Sequence, residues 1–231
     1  MHIHGLQKLA MVDYPGKLAA TVFTGGCNLR CPFCHNALLV TRLAETPEIP
    51  EQEVLDFLAS RRGLLDGVVL PGGEPLLQPD AADFLRKVRE LGFAVKLDTN
   101  GCDPARLAEI LNQGLVDYVA MDVKNAPARY AETVGIPGFN PAPVEESIRL
   151  LRKSTVDYEF RTTLVRELHR PEDLDAIAAW LAGAPRYYLQ NFVDSGNLIG
   201  RGYHGFTAEQ LQGFAERVRP FFGAVELRGI D

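Results

Sequence analysis

The chain has 231 residues, 46% of them hydrophobic and 23% charged, which is enough apolar material for one large α/β core and argues against disorder. The net charge of −6 and the absence of any Lys/Arg block exclude a broad nucleic-acid surface. Residues 1–5 lack the charged and apolar regions of a signal peptide, and no apolar run is long enough to cross a bilayer, so a cytoplasmic protein is expected, with neither membrane nor nucleic acid as a partner.

Strand-like and helix-like patterns alternate along the chain. Short runs rich in Val, Leu, Phe or Tyr predict strands at 18–24, 67–70, 93–97, 118–123, 158–164 and 187–192. Helices are predicted at 50–62, 79–91, 104–112, 144–153, 171–181 and 207–218. The first three open near a proline, which suits the first helical turn. The stripe Ala82, Leu85, Val88, Leu91 gives the second of them one buried face. One domain is expected: 1–17 as an N-terminal arm, 18–206 as six strand–helix units, and 207–231 as a C-terminal helix and edge segment.

Parallel neighbours need crossover helices, so the repeat predicts a parallel sheet. A full eight-unit barrel takes about 250 residues. Six units therefore predict an open, partial (β/α)6 TIM-like barrel with outer helices, and a flat doubly wound sheet is the competing architecture. Both collect chemistry at the C-terminal strand ends. Cys27, then Gly72 to Glu74, Asp98 to Gly101, and Asp122 with Lys124 all fall there. The Pro/Gly-rich stretch 125–143 is long for a βα connection and reads equally as a cover over the site or as a surface insertion.

Three of the four cysteines lie in Cys27-Asn-Leu-Arg-Cys31-Pro-Phe-Cys34. Such clustering is not a disulfide framework in a chain of this length. Structural zinc wants four protein ligands, and His35 cannot easily turn back onto an ion held by Cys34. A four-iron cluster also normally takes four thiolates, so three would leave one iron open to an external ligand. Cys102 reads as a small apolar residue beside a turn. Two glycines at a strand end, Gly72 and Gly73, let a ligand approach the backbone, although a Gly-Gly pair alone is more often an ordinary turn. Asp122 and Lys124 alternate onto one face of their strand, where such a pair is equally a structural ion pair. His169 reads as a surface loop residue, and His2 and His4 have no evident partner. There is no Ser–His–Asp order, P-loop or dinucleotide fingerprint.

The cysteine spacing, with an aromatic at Phe33, together with Gly72-Gly73-Glu74-Pro75, resembles the radical S-adenosylmethionine superfamily. The resemblance implies a [4Fe-4S] cluster on Cys27, Cys31 and Cys34. Its open iron would chelate the amino and carboxylate groups of S-adenosylmethionine, whose reductive cleavage yields a 5′-deoxyadenosyl radical. It also implies S-adenosylmethionine contacts from Phe33, His35, Asn36, Gly72, Gly73, Glu74, Asp98, Thr99, Asn100, Asp122 and Lys124. Arg161, Thr163, Gln190 and Asn191 are weaker candidates, and Arg161 could equally anchor a carboxylate inside the barrel. A monovalent cation at Asp98, Thr99 and Asp122 is a further implied feature. Pro71 stands where the family often has Ser or Thr.

Within the superfamily the chain is similar to enzymes that activate glycyl-radical proteins. The likeness to activators of anaerobic ribonucleoside-triphosphate reductase is densest over 5–37, including Asp13-Tyr14-Pro15-Gly16-Lys17-Leu18. That implies hydrogen abstraction from a backbone glycine of the reductase, with electrons from a low-potential donor such as flavodoxin or ferredoxin. A radical enzyme acting on a small molecule, as in carboxy-deazaguanine synthase, is the alternative. A non-catalytic zinc or redox-sensing module is the different class.

Overall fold

The computed structural model describes residues 1–230. Its sheet has eight strands in sequential order, β1 Ile3–Ala10, β2 Ala19–Thr24, β3 Gly67–Leu70, β4 Ala94–Thr99, β5 Tyr118–Asp122, β6 Asp157–Leu164, β7 Arg186–Asn191 and β8 Ala224–Arg228. All neighbours from β2 to β8 are parallel, whereas β1 runs antiparallel to β2. Strictly sequential order decides between the two expected architectures. A doubly wound sheet reverses direction at a switch point, while a sheet that only advances curls as a barrel wall. The end strands β1 and β8 do not pair with each other among the described residues, so the barrel is open.

The eight helices are α1 Ala37–Thr41, α2 Glu51–Ala59, α3 Ala81–Glu90, α4 Pro104–Asn112, α5 Tyr130–Val134, α6 Ala142–Lys153, α7 Pro171–Leu181 and α8 Ala208–Val218. Asp103 caps α4 by accepting from the Arg106 N–H at 3.0 Å, with Pro104 at the first helical position. The apolar stripe of α3 sits slightly off the expected one. Ala81, Phe84, Leu85 and Val88 are buried, and Ala82 and Leu91 are only half-buried.

Successive strand residues face opposite ways. One set, including Val22, Leu70, Val95, Leu97, Val119, Met121 and Phe160, joins Leu58, Phe84, Leu107, Ile148 and Ile177 of the helices in one core. Burying each such side chain stabilises the fold by about 1.5–3 kcal/mol. The other set is polar towards the C-terminal strand ends: Lys96 and Asp98 on β4, Asp122 on β5, and Glu159 and Arg161 on β6.

The opposite end of this inner face is closed by a small second core of Tyr14, Ala19, Val69, Tyr118 and Ala120. The Tyr14 and Tyr118 rings lie 6.0 Å apart, and Lys17 places its ammonium 5.7 Å from the Tyr14 ring centre. The Thr21 hydroxyl donates to Asp13 at 2.6 Å. The segment Asp13 to Leu18 is thus the floor of the barrel. Tyr14→Ala should lower the unfolding free energy in urea by about 3 kcal/mol. It should leave the chemistry at the far end of the strands intact, since none of Tyr14, Ala19, Val69, Tyr118 and Ala120 lines the cavity there.

Candidate active site

Every candidate raised by the sequence lines one cavity of about 320 Å³ at the C-terminal strand ends. It gathers Cys27, Cys31, Phe33, Cys34, His35 and Asn36 after β2, and Gly72, Gly73 and Glu74 after β3. Asp98, Thr99 and Asn100 come from β4, Asp122 and Lys124 from β5, Arg161 and Thr163 from β6, and Gln190 and Asn191 from β7. Leu29, Val40 and Pro71 complete the lining.

The cysteine loop is tied down along its length. The Gly26 carbonyl accepts from the Glu74 N–H at 2.8 Å, and the Gly26 N–H donates to the Leu39 carbonyl at 2.8 Å. The Arg30 N–H donates to the Val134 carbonyl at 2.9 Å, and the Gly200 N–H to the Pro32 carbonyl at 2.7 Å. Arg30 also folds its guanidinium back onto the carbonyls of Cys27 and Leu29, at 2.6 and 2.8 Å. The stretch 125–143 is therefore no surface insertion: it carries α5, buries Tyr130, and holds the loop from one side.

The four cysteines are unpaired. Burial pushes Cys27 up to about 11 and Cys31 up to about 12, and raises Cys34 as well. Thiols this resistant to ionisation give up their protons to solvent only when a strongly binding cationic group takes their place. Among the described residues no three His, Cys, Asp or Glu side chains stand close enough for one metal ion. Three thiols spread around one cavity suit a multi-iron cluster, which spans more space than a single ion. Cys102 lies outside the lining, with its thiol 3.9 Å from the Asn100 carbonyl.

The glycine pair serves the backbone first. A Cβ on Gly73 would stand 1.9 Å from the Gly26 carbonyl oxygen, and one on Gly72, whose φ is +149°, would meet Thr24 at 2.4 Å. Glu74 is turned into the protein. It accepts from the Leu76 N–H at 3.1 Å, the Thr99 hydroxyl at 2.7 Å and the Asn100 N–H at 2.7 Å. Burial pushes its carboxyl up to about 7 against those three donors. Those bonds make Glu74, which also lines the cavity, a clamp joining the ends of β3 and β4. Asn36 adds a bond from its side-chain N–H to the Gly72 carbonyl at 3.2 Å.

Five charges of the inner face form one bonded chain, while the sixth, Glu159, is paired outside it with Arg228 at 3.3 Å. Lys96 donates to Asp98 at 2.5 Å, and Arg161 donates to Asp98 at 2.9 Å and to Asp122 at 2.9 Å. Lys124 donates to Asp122 at 3.1 Å. Burial alone would raise Asp122, but Arg161 and Lys124 hold it well below the usual carboxylate range. Asp122 and the nearby cysteines in turn hold Lys124 above its ordinary value despite burial. Three cations against two carboxylates leave one positive charge over, and Lys124 keeps donors free for an anion.

Two residues escaped the sequence reading. Lys96 is almost wholly buried, and its position two before Asp98 in a strand was the available signal. His169 is a correction: it is 3% exposed, not on the surface. Its Nδ1 accepts from the Val165 N–H at 3.1 Å, which leaves Nε2–H to donate to the Lys124 carbonyl at 2.8 Å. The Lys124 N–H donates to the Tyr130 hydroxyl at 3.2 Å. The backbone of Lys124 is thus fixed at its N–H by nearby Tyr130 and at its carbonyl by His169, distant in sequence.

Residues 21–181 match the Radical SAM superfamily, and the chain belongs to it. A Methanocaldococcus jannaschii protein named a "putative glycyl-radical enzyme activating enzyme" is 36% identical over 197 residues, covering 82% of this chain and 79% of that protein. The pyruvate formate-lyase-activating enzyme of Clostridium pasteurianum is 35% identical over 128 residues, covering 53% of this chain and 52% of that enzyme. Among solved structures, Streptococcus suis SuiB bound to S-adenosylmethionine superposes with a TM-score of 0.70 at 16% identity, over 88% of this chain and 48% of SuiB. At that identity the likeness shows the fold, and the chain spans about half the length of SuiB and of the Clostridium enzyme. The family implies a [4Fe-4S] cluster and S-adenosylmethionine as cofactors.

Gly73→Ala should push the Gly26 carbonyl, and the cysteine loop with it, off its support. Unfolding free energy should fall by about 1–3 kcal/mol, and iron uptake on reconstitution should fall with it. Gly213→Ala, in α8 with nothing near its missing Cβ, is the control and should be neutral or slightly stabilising.

Proposed function

We propose that this protein is a glycyl-radical enzyme activating enzyme, and that its protein substrate is an anaerobic ribonucleoside-triphosphate reductase. The observation that supports the chemistry best is the convergence of three free thiols, the braced glycine pair and a cationic Lys124 on one cavity. In this reading Cys27, Cys31 and Cys34 hold the cluster. Bound there, the cluster together with S-adenosylmethionine would supply the one-electron chemistry that takes a hydrogen atom from a glycine Cα.

The protein's own residues bind, orient and shield. Lys124 faces the carboxylate of the cofactor with the charge left over from the inner-face chain. Phe33, His35, Asn36, Thr163, Gln190 and Asn191 line the remaining wall, where they position the cofactor and exclude water. No general acid or base is required, because the reacting hydrogen leaves as an atom.

The activating-enzyme relatives support a protein substrate. The choice of the anaerobic reductase rests on the sequence likeness over 5–37. Within it, Asp13 to Leu18 forms the floor of the barrel, so that segment speaks for common ancestry more than for partner contact. The electron donor in this reading is a low-potential flavodoxin or ferredoxin, and the setting is the cytoplasm. No helix among the described residues is long and apolar enough to cross a membrane. A monovalent cation at Asp98, Thr99 and Asp122 is not part of this reading, because those side chains are already engaged.

Two measurements test it. Reconstituted protein should bind one four-iron cluster per chain; Cys27→Ala, Cys31→Ala and Cys34→Ala should each abolish it, and Cys102→Ala should not. With a strong reductant and S-adenosylmethionine, the host's anaerobic reductase should gain a glycyl-radical signal by electron paramagnetic resonance. That signal should vanish when the reductase glycine is replaced by Ala. Turnover of a small metabolite with no radical on the reductase would defeat the activase assignment.

A further inference from the structure

The resemblance implies a monovalent cation at Asp98, Thr99 and Asp122. The residues present do not fit one. Both oxygens of Asp98 accept from cations, Oδ1 from Lys96 and Oδ2 from Arg161. Both oxygens of Asp122 do the same, Oδ1 from Arg161 Nε and Oδ2 from Lys124. Thr99 lies on the other face of β4 from Asp98, since neighbouring strand residues point opposite ways. Its hydroxyl donates to Glu74 and accepts from the Gly101 N–H at 3.1 Å. The side chains of all three residues are therefore satisfied by protein groups.

Arg161 is the residue that closes the gap. It is the only side chain hydrogen-bonded to both aspartates among the described residues, using separate nitrogens of one planar guanidinium. Its side chain is 11% exposed, and it stands opposite Asp122 in the β5–β6 register. A further cation here would sit against Lys96, Arg161 and Lys124, three like charges in a poorly solvated place. A guanidinium also carries its charge at every accessible pH and needs no free ion in solution.

We propose that Arg161 is a positioning residue whose guanidinium takes the place of a monovalent cation between Asp98 and Asp122, so that cofactor binding by this protein needs no such cation. The clause on cofactor binding rests on the function proposed above. The occupancy of the site by Arg161 does not.

The test measures S-adenosylmethionine affinity of the reconstituted protein in potassium, sodium and choline chloride at one ionic strength, where screening is equal. Affinities should agree within about twofold, because an ion that does not bind cannot shift the equilibrium. Thallium(I), a heavy monovalent probe, should show no saturable binding by its nuclear resonance and no anomalous peak between Asp98 and Asp122 in crystals. Arg161→Met removes the bridge while keeping much of its length. That variant should bind the cofactor at least about tenfold more weakly in choline, and potassium or sodium should restore part of the loss. A wild-type affinity that rises selectively with potassium or sodium overturns the proposal, and so does a thallium ion at the aspartates. If Arg161→Met does not fold, the wild-type and thallium measurements decide. If no cofactor binds in any salt, the functional reading fails while the thallium result still settles who occupies the site.

Discussion

The Gly26 carbonyl oxygen lies where a Cβ of residue 73 would be, and that single backbone contact sets the position of the cysteine loop. Gly26 ends the run out of β2, and Gly73 begins the run out of β3. Pressing the two backbones together lets the Glu74 N–H reach the Gly26 carbonyl and the Gly73 N–H reach the Thr24 carbonyl, at 2.8 and 2.9 Å. Cys27 then leaves the sheet at a fixed point. The loop beyond it is held by Val134 from one side and Gly200 from the other. The thiols accordingly surround the cavity before any cluster is built. Ordering eight loop residues costs about 1–2 kcal/mol each, and here that cost is met by folding and not by metal binding.

Below this rim the inner face holds a chain of charges that hydrophobic residues of like volume could replace with little loss of stability. Two unit charges 4 Å apart at an effective dielectric of 20 interact by about 4 kcal/mol, a gain that desolvation largely cancels. What the chain supplies is position and sign. Each carboxylate holds two cations, each cation is tethered to a different strand, and the sum is one excess positive charge at Lys124. Tyr130 and His169 then fix the Lys124 backbone, so the charge is presented by a rigid element. Burial lowers His169 below its ordinary value, which favours the neutral ring whose Nδ1 accepts from the Val165 N–H.

Much of the fold was legible because parallel strands buried on the helix side read as short apolar runs. The strands at 67–70 and the helices at 104–112 and 171–181 are found with the bounds expected of them. The outer strands were not legible as strands. β1 is half-exposed along most of its length, and β8 buries only Val225 fully, so neither carries a periodic signal. The cavity was legible through residue types at strand ends, and all of those residues except Gly101 line it. Their division of labour was not. Whether Glu74 faces a ligand or the Asn100 N–H depends on how two strand ends meet, and no local pattern encodes that. His169 does lie in a loop, but it looked exposed because its partner Lys124 comes near only when β5 and β6 are side by side.

The same contacts make the rim one mechanical unit. Glu74 joins β3 to β4 through Thr99 and Asn100, and Asn100 continues to the cysteine loop through its side-chain N–H and Asn28, at 2.9 Å. Asn36, just past Cys34, returns to the Gly72 carbonyl and closes the circuit. Groups linked this way do not contribute independently, because removing one leaves its partners buried and unpaired. Removing Glu74 orphans the Thr99 hydroxyl and the Asn100 and Leu76 N–H groups together. Removing Thr99 as well then costs less than it would alone. Such coupling ties the strand ends of this chain into one set, so that a change at one position is felt at the others. Individual side chains can change, provided that the circuit of donors and acceptors around the rim stays closed.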